Sequence, residues 1–512
     1  MTSTSTPAPL GSEPSFAERM KAEWLSNPRT DLLSGLVVAL ALIPEAISFS
    51  IIAGVDPKVG LYASFSIAII ISIAGGRSGM ISAATGAMAL VLVDLVKEPN
   101  GVALLFAATI LAGFLQIGLG YLGIGELMRF VPRTVMVGFV NALAILIFLA
   151  QIPHIVLSDN DDASNQLPMN LIFIALGLAV IYGLPRITKS VPSPLVAIVV
   201  LAAAAMYWDL NLPTVGDMGE LPSALPFLSL PDVPFTLQTL QTILPFSITL
   251  AFVGLLESLL TAQLLDDLTD TPSDKNLESR GQGIANVATG FLGGMAGCAM
   301  IGQSMINYRS GGRTRLSTLA SGVFLLILII VLGDLVAQIP MAALVAVMIM
   351  VSIGTFNWNS IKLPTLQHTP KPETIIMVVT VAVVVFTHNL AYGVAAGVVL
   401  SAVAFARNIS EVVKVTSVVD PDNHERLYAV TGELFFASTN DLVRSFDYHS
   451  VKVKRVEIDC SDARIWDTSA VAALDQVVAK FADLDIEAHL VGLNRHAFDL
   501  HARTTGKVSA GH

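Results

Sequence analysis

Two carboxylates stand in stretches of sequence that otherwise carry no charge. Glu45 and Glu257 are 212 positions apart, each surrounded by aliphatic residues. A charged group at the centre of a bilayer costs about 2.5–3.5 kcal/mol on insertion scales, so such residues face a bundle interior and mark ion paths. A carboxylate beside an anion also repels it, and protonation removes both the repulsion and the cost of burial. The chemistry these residues suit is proton-coupled movement of an anion, with Glu257 the principal proton site and Glu45 a second one.

A repeated punctuation accompanies them. Gly75-Gly76-Arg77-Ser78-Gly79-Met80 and Gly293-Gly294-Met295-Ala296-Gly297-Cys298 recur at a spacing of 218. Each leads through small residues, Ile81–Gly86 and Ala299–Ser304, into a short helix, Ala87–Val96 and about Gln303–Arg309. Crossing the hydrocarbon layer takes about 20 residues, so neither helix spans alone. Non-helical backbone at that depth survives only when buried in protein or lining a watery cavity. The free N–H groups of a helix start, with about half a positive charge from the macrodipole, bind an anion without Lys or Arg. One such motif is explained as close helix packing by small residues. Two at corresponding positions point to a transport site.

Composition supplies the frame these residues need. Of 512 residues, 54% are hydrophobic and 13% charged, against roughly 25% charged in a soluble domain. The deficit is confined to residues 31–408, which reads as a transmembrane domain between a cytosolic segment, 1–30, and a soluble C-terminal domain, 409–512. The first residues lack the apolar core of a signal peptide. Fourteen apolar blocks occur near 31–55, 60–75, 86–96, 102–123, 133–151, 168–184, 193–208, 242–265, 282–296, 302–309, 316–333, 338–354, 374–388 and 390–407. An odd-numbered repeat inverts its second half, so the two truncated helices are expected to meet near the midplane from opposite sides. Lys and Arg placement supports this count. Arg19, Arg29, Arg129, Lys189, Arg280 and Arg313 fall on the cytoplasmic side, whereas Ser158–Asp162, residues 208–240, Asp334 and His388 fall outside with Lys97 as the one basic residue. Both termini are expected in the cytoplasm, with the chain in the cell's inner (plasma) membrane.

Three further stretches carry a resemblance: Leu42-Ile43-Pro44-Glu45-Ala46-Ile47-Ser48-Phe49-Ser50 with Gly60-Leu61-Tyr62-Ala63-Ser64, Gly281-Gln282-Gly283-Ile284-Ala285-Asn286, and Gly311-Gly312-Arg313-Thr314-Arg315-Leu316-Ser317. Here the sequence resembles the SulP family of sulfate-permease-type anion transporters, bacterial relatives of solute carrier family 26. The resemblance implies an α-helical polytopic fold of fourteen spans, built as a seven-plus-seven inverted repeat and split into a mobile core domain and a gate domain that forms a homodimer. It implies a substrate site lined by Glu45 and Phe49 from the first span, Thr85, Gly86 and Ala87 from the third, and Gly302, Gln303 and Ser304 from the tenth. Glu257 and Thr261 would flank it from the eighth, and Thr261 lies on the same helix face as Glu257. Relatives that use such a pair for sodium make a sodium site the rival of a proton site. Two departures matter. Many members have Gly-Pro where this chain has Thr85-Gly86-Ala87, and some have an arginine where it has Gln303. The site then keeps dipoles and amides but no fixed cation, which favours bicarbonate or a carboxylate-bearing substrate such as a C4-dicarboxylate (fumarate) over sulfate.

Other polar residues have plainer readings. Gln116 and Asn141 are expected to bond between helices, and Asp266, Asp267, Asp270 and Asp274 to form a solvated acidic loop. In the C-terminal domain, strands at Leu427–Val430, Val453–Asp459 and Glu487–Val491 alternate with helices at Thr468–Phe481 and Arg495–Arg503, a small α/β unit. Gly432-Glu433-Leu434-Phe435-Phe436-Ala437 and Trp466-Asp467-Thr468-Ser469-Ala470 resemble the STAS domain, in which a serine at the position of Ser469 is phosphorylated in anti-sigma-factor antagonists. Asp467 or Thr468 capping the helix is the simpler reading.

Among function classes, secondary transport of a small anion leads and an anion channel follows. A ligand sensor acting through the C-terminal domain is third. A net charge of −11 without a basic patch argues against nucleic acid. No nucleophile–base pair, metal cluster or Gly-rich nucleotide loop suggests an enzyme, a metal site or a cofactor other than a transported proton or sodium. Cys298 and Cys460 lie in different domains, which excludes a disulfide framework.

Overall fold

A computed structural model describes residues 16–127, 131–156, 163–187, 192–222, 224–410, 412–420, 425–448 and 453–504. Arg129, Lys189 and Ser158–Asp162, used above to orient the chain, lie outside the described residues. Each apolar block is one helix: α1 (Pro28–Ala53), α2 (Pro57–Ala74), α3 (Gly86–Val96), α4 (Gly101–Tyr121), α5 (Arg133–Leu149), α6 (Ala163–Gly183), α7 (Ser193–Tyr207), α8 (Leu237–Thr269), α9 (Lys275–Phe291), α10 (Ile301–Arg309), α11 (Arg315–Val331), α12 (Met341–Thr355), α13 (Lys371–Thr387) and α14 (Leu390–Ser410). Seven of the described helices are long and apolar enough to cross a membrane.

The helices sort into two groups. α1–α4 pack with α8–α11, chiefly as the pairs α4–α9, α1–α11, α2–α11 and α4–α8, whereas α5 packs on α13 and α12 on α6. Between the groups the contacts are few, the main one being α1 against α12. This is the expected division into core and gate.

Both interrupted spans are present. β1 (Ser82–Ala84) and β2 (Gly297–Ala299) precede α3 and α10 and pair antiparallel, with Ala83 opposite Cys298. Antiparallel pairing sends the helices that follow away from each other, as an inverted repeat requires. The small residues are needed here because a Cβ on Gly297 would stand 2.2 Å from the Ala83 carbonyl oxygen. Gly79 (φ 72°) and Gly293 (φ 74°) make the left-handed turns that lead into each strand, a conformation glycine adopts without steric cost.

The compact units divide between Gly397 and Val398, inside α14. Only 17% of the most apolar stretch of α14 is buried. In the C-terminal unit the sheet order is β3 (Lys414–Val419), β4 (Glu425–Leu434), β5 (Arg455–Ile465), β6 (Glu487–Val491), with the first pair antiparallel and the others parallel. Helices α15 (Thr439–Arg444), α16 (Thr468–Ala482) and α17 (Arg495–Thr504) complete it. Val471, Leu474, Val477 and Phe481 of α16 are buried in one core with Tyr428, Val456 and Ile458. β3 and α15 escaped the sequence reading; β3 is exposed at all but Val415 and shows no alternation.

Candidate functional site

The two half-helix starts open on one cavity of about 510 Å³ between the core and gate helices. Glu45, Phe49, Thr85, Gly86, Glu257, Gly302 and Gln303 line it from the core side. Phe139 and Leu143 of α5, with Met350 and Thr355 of α12, close it from the gate side. The three remaining expected residues stand behind the wall. Ala87 is fully buried. Ser304 accepts the Ile81 N–H at 3.0 Å and so ties α10 to the chain entering β1. Thr261 donates to the carbonyl of Glu257 in its own helix at 2.8 Å, not to its carboxylate.

The helix starts differ in how their amides are used. Thr85 caps α3, its Oγ1 accepting from Met88 N at 3.4 Å. α10 starts from Met300 with no side-chain cap, and its first intrahelical bond is from Ser304 N to Met300 O at 3.0 Å. The N–H groups of Ile301, Gly302 and Gln303 precede that bond, and these three residues line the cavity. Uncapped helix starts away from bulk water require a partner, and the dipole makes an anion the favourable one. A Cβ on Gly302 would meet nothing within 4 Å, whereas one on Gly86 would stand 3.0 Å from the Phe49 ring. The α10 tip is thus open and the α3 tip is shielded by Phe49.

Glu45 of α1 lines the cavity together with Gln303 of α10. Glu257 of α8 accepts from Cys298 Sγ at 3.0 Å, and Sγ lies 3.2 Å from Thr85 Oγ1 at the α3 start. Among the described residues, Arg309 is the one cation lining the cavity. The expectation of a site without a fixed cation is corrected to that extent. Its signal was present: Arg309 follows Gly302 by seven residues, two helical turns along the same face. The apolar gate residues carry no comparable signal.

Two readings of the flanking polar residues are now decided. Gln116 accepts from Asn286 at 2.8 Å, and Asn141 bonds Ser360 and the Asn357 amide, so both join helices away from the cavity. The acidic run is not a solvated loop. Asp266 and Asp267 lie within α8, and Asp266 is largely buried between Arg77, at 3.2 Å, and Lys275. Asp274 caps α9 by accepting Leu277 N at 2.8 Å. Glu278 is a further fully buried carboxylate the sequence reading passed over, and it accepts the amides of Gly76 and Arg77. In the C-terminal unit Asp467 is the cap of α16, accepting Ala470 N at 2.9 Å, and Ser469 is exposed on the first turn.

The sequence pattern of the Sulfate permease family matches residues 29–380, and that of the STAS domain residues 415–505. The chain belongs to the sulfate permease family. YbaR of Bacillus subtilis (strain 168), a protein named for sulfate transport, is 58% identical over 476 residues, covering 93% of this chain and 97% of that one. The bicarbonate transporter BicA of Picosynechococcus is 26% identical, covering 91% of this chain and 89% of its own. The solved transmembrane domain of a cyanobacterial BicA superimposes with a TM-score of 0.64 at 28% identity, covering 73% of this chain and 98% of that one. Murine Solute Carrier 26 family member A9, in the inward-facing state, shares the fold at 16% identity, with a TM-score of 0.78 and coverage of 94% and 88%. The protein is an anion transporter of the membrane with a C-terminal STAS domain, and not an enzyme.

Proposed function

We propose that the protein is a proton-coupled symporter of a small anion, working by alternating access. One observation carries this reading: both carboxylates line the one cavity on which the half-helix starts open, and Glu257 is linked through Cys298 to Thr85 at the α3 start. Anion and proton then share one set of groups, and each changes the affinity for the other. A carboxylate left ionised beside the α3 and α10 tips opposes the anion, and a protonated one does not. Sparse contact between core and gate groups suits sliding of one against the other.

Proton coupling is favoured over sodium because Thr261 does not line the cavity and its hydroxyl bonds the Glu257 backbone rather than its carboxylate. Glu257 is left facing a thiol, whereas hard cations take oxygen ligands. Arg309 and the amide-lined tips suit bicarbonate, sulfate or a C4-dicarboxylate such as fumarate, and the two named relatives make the first two the leading candidates. We further infer a homodimer in the cell's inner (plasma) membrane, with both termini cytoplasmic, a placement the Lys and Arg distribution supports. The STAS domain modulates transport rather than performing it.

Uptake into proteoliposomes of each labelled anion, with imposed proton or sodium gradients, tests this reading. An inward proton gradient should drive accumulation of one of these anions, and Glu257→Gln should abolish the drive. Accumulation driven by sodium alone, or currents far above carrier turnover, would overturn it.

A further inference from the structure

Cys298 has no place in the mechanism as stated, yet it lies between the two groups that matter. It is fully buried in β2, opposite Ala83 at the centre of the ribbon. Its Sγ donates to Glu257 Oε2 at 3.0 Å, and its 3.2 Å bond to Thr85 Oγ1 can run in either direction. Thr85 in turn lines the cavity at the start of α3.

We propose that Thr85, Cys298 and Glu257 form a reversible hydrogen-bond relay through which protonation of Glu257 turns the Thr85 hydroxyl hydrogen toward the anion. This inference rests on the proton-coupled reading above. A hydroxyl donates one hydrogen and accepts two, and a thiol does the same more weakly. With Glu257 ionised, the thiol must donate to it, and the Thr85 hydroxyl donates to sulfur. When Glu257 takes a proton from water in the cavity, its new O–H donates to Sγ and the thiol hydrogen turns to Thr85 Oγ1. That oxygen now accepts from both Sγ and Met88 N, so its own hydrogen faces the cavity beside the Gly86 and Ala87 amides. Each group keeps its hydrogen except Glu257, which gains one, and no sulfur bond is broken. The anion thus gains a donor in the state in which the repelling charge has gone.

Other titratable groups do not substitute for the relay. Glu45 and Arg309 share the cavity with Glu257. On the remaining elements packed against α8, Asp94 pairs with Lys97, Lys275 with Asp266, and Glu278 holds the Gly76 and Arg77 amides. Arg280 stacks on Tyr121, and the Tyr308 hydroxyl bonds Leu268 O. Cys298 is therefore a positioning residue, acting through its two neighbours.

The test is the pH dependence of KM for uptake by the full-length protein in liposomes, measured with whichever anion the uptake panel identifies. In the wild type KM should rise as Glu257 deprotonates, through its repulsion of the anion and through the lost Thr85 donor, the latter worth roughly tenfold, the scale of one hydrogen bond to a charged group. Cys298→Ala should remove that roughly tenfold share by raising KM at acid pH, leaving only the direct repulsion by ionised Glu257, and Cys298→Ser should restore it. If Cys298→Ala does not fold, Thr85→Val against Thr85→Ser makes the same comparison. A full pH dependence in Cys298→Ala, with proton drive lost in Glu257→Gln, overturns the relay and leaves proton coupling standing. Proton drive retained in Glu257→Gln overturns both.

Discussion

Ile301→Pro removes one amide from the α10 tip and little else. Ile301 is the first residue of α10, and its N–H precedes the first intrahelical bond. Proline is favoured at that position because its fixed φ suits a helix start and its missing N–H has no helical partner. Met300, the preceding residue, has φ −109° and ψ 120°, within the extended region that a following proline requires. The fold should therefore tolerate the change. If the amide donates to a bound anion, its loss costs about 1.5–3 kcal/mol, the range for hydrogen bonds to charged groups. That corresponds to roughly 10- to 150-fold weaker substrate affinity. Ile301→Ala trims the same side chain and keeps the N–H, so the proline-to-alanine ratio isolates the amide. Isothermal titration or competition uptake measures it, with thermal unfolding as the check on folding. Equal affinities in two equally stable variants would show that the anion is not held by this helix start.

Other outcomes follow from the same geometry. Asp266→Asn leaves Arg77 and Lys275 without their carboxylate and should lower stability by roughly 3 kcal/mol, near the low end for a broken buried pair; Asp267→Asn, on the exposed face, should shift the melting temperature little. Asp467→Ala removes the acceptor of both Ala470 N, at 2.9 Å, and Phe436 N, at 2.8 Å, at a cost of about 0.5–2 kcal/mol, which hydrogen exchange at the start of α16 should register as faster opening. Burial and the neighbouring Asp459 charge push the Cys460 thiol up to about 12, so it should resist maleimide near neutral pH until denaturant is added. Labelling at the rate of a free thiol would show that this sheet opens readily.

The sequence revealed the parts of the site that differ chemically from a lipid-facing helix. Charges in apolar blocks exposed Glu45 and Glu257, and the paired glycine motifs located both breaks, because glycine and small residues are demanded by left-handed turns and by strands in near contact. What it concealed was partnership across the repeats. Nothing in the spacing of Cys298, Thr85 and Glu257 says that they touch, since the ribbon pairing that joins them is set by tertiary structure. The gate wall was equally hidden, because Phe139, Leu143 and Met350 look like any residues of an apolar span. Asp266 misled for a related reason: four acidic residues near a span end read as solvated, and the Arg77 that buries one of them comes from the other repeat.

The most direct measurement is a structure of the protein with a transported anion carrying a selenium or bromine atom, located by its anomalous signal. The account predicts the anion within hydrogen-bond distance of the Gly302 and Gln303 amides and close to Thr85, between the two helix starts. An anion bound against α5 and α12, with both tips bare, would contradict it.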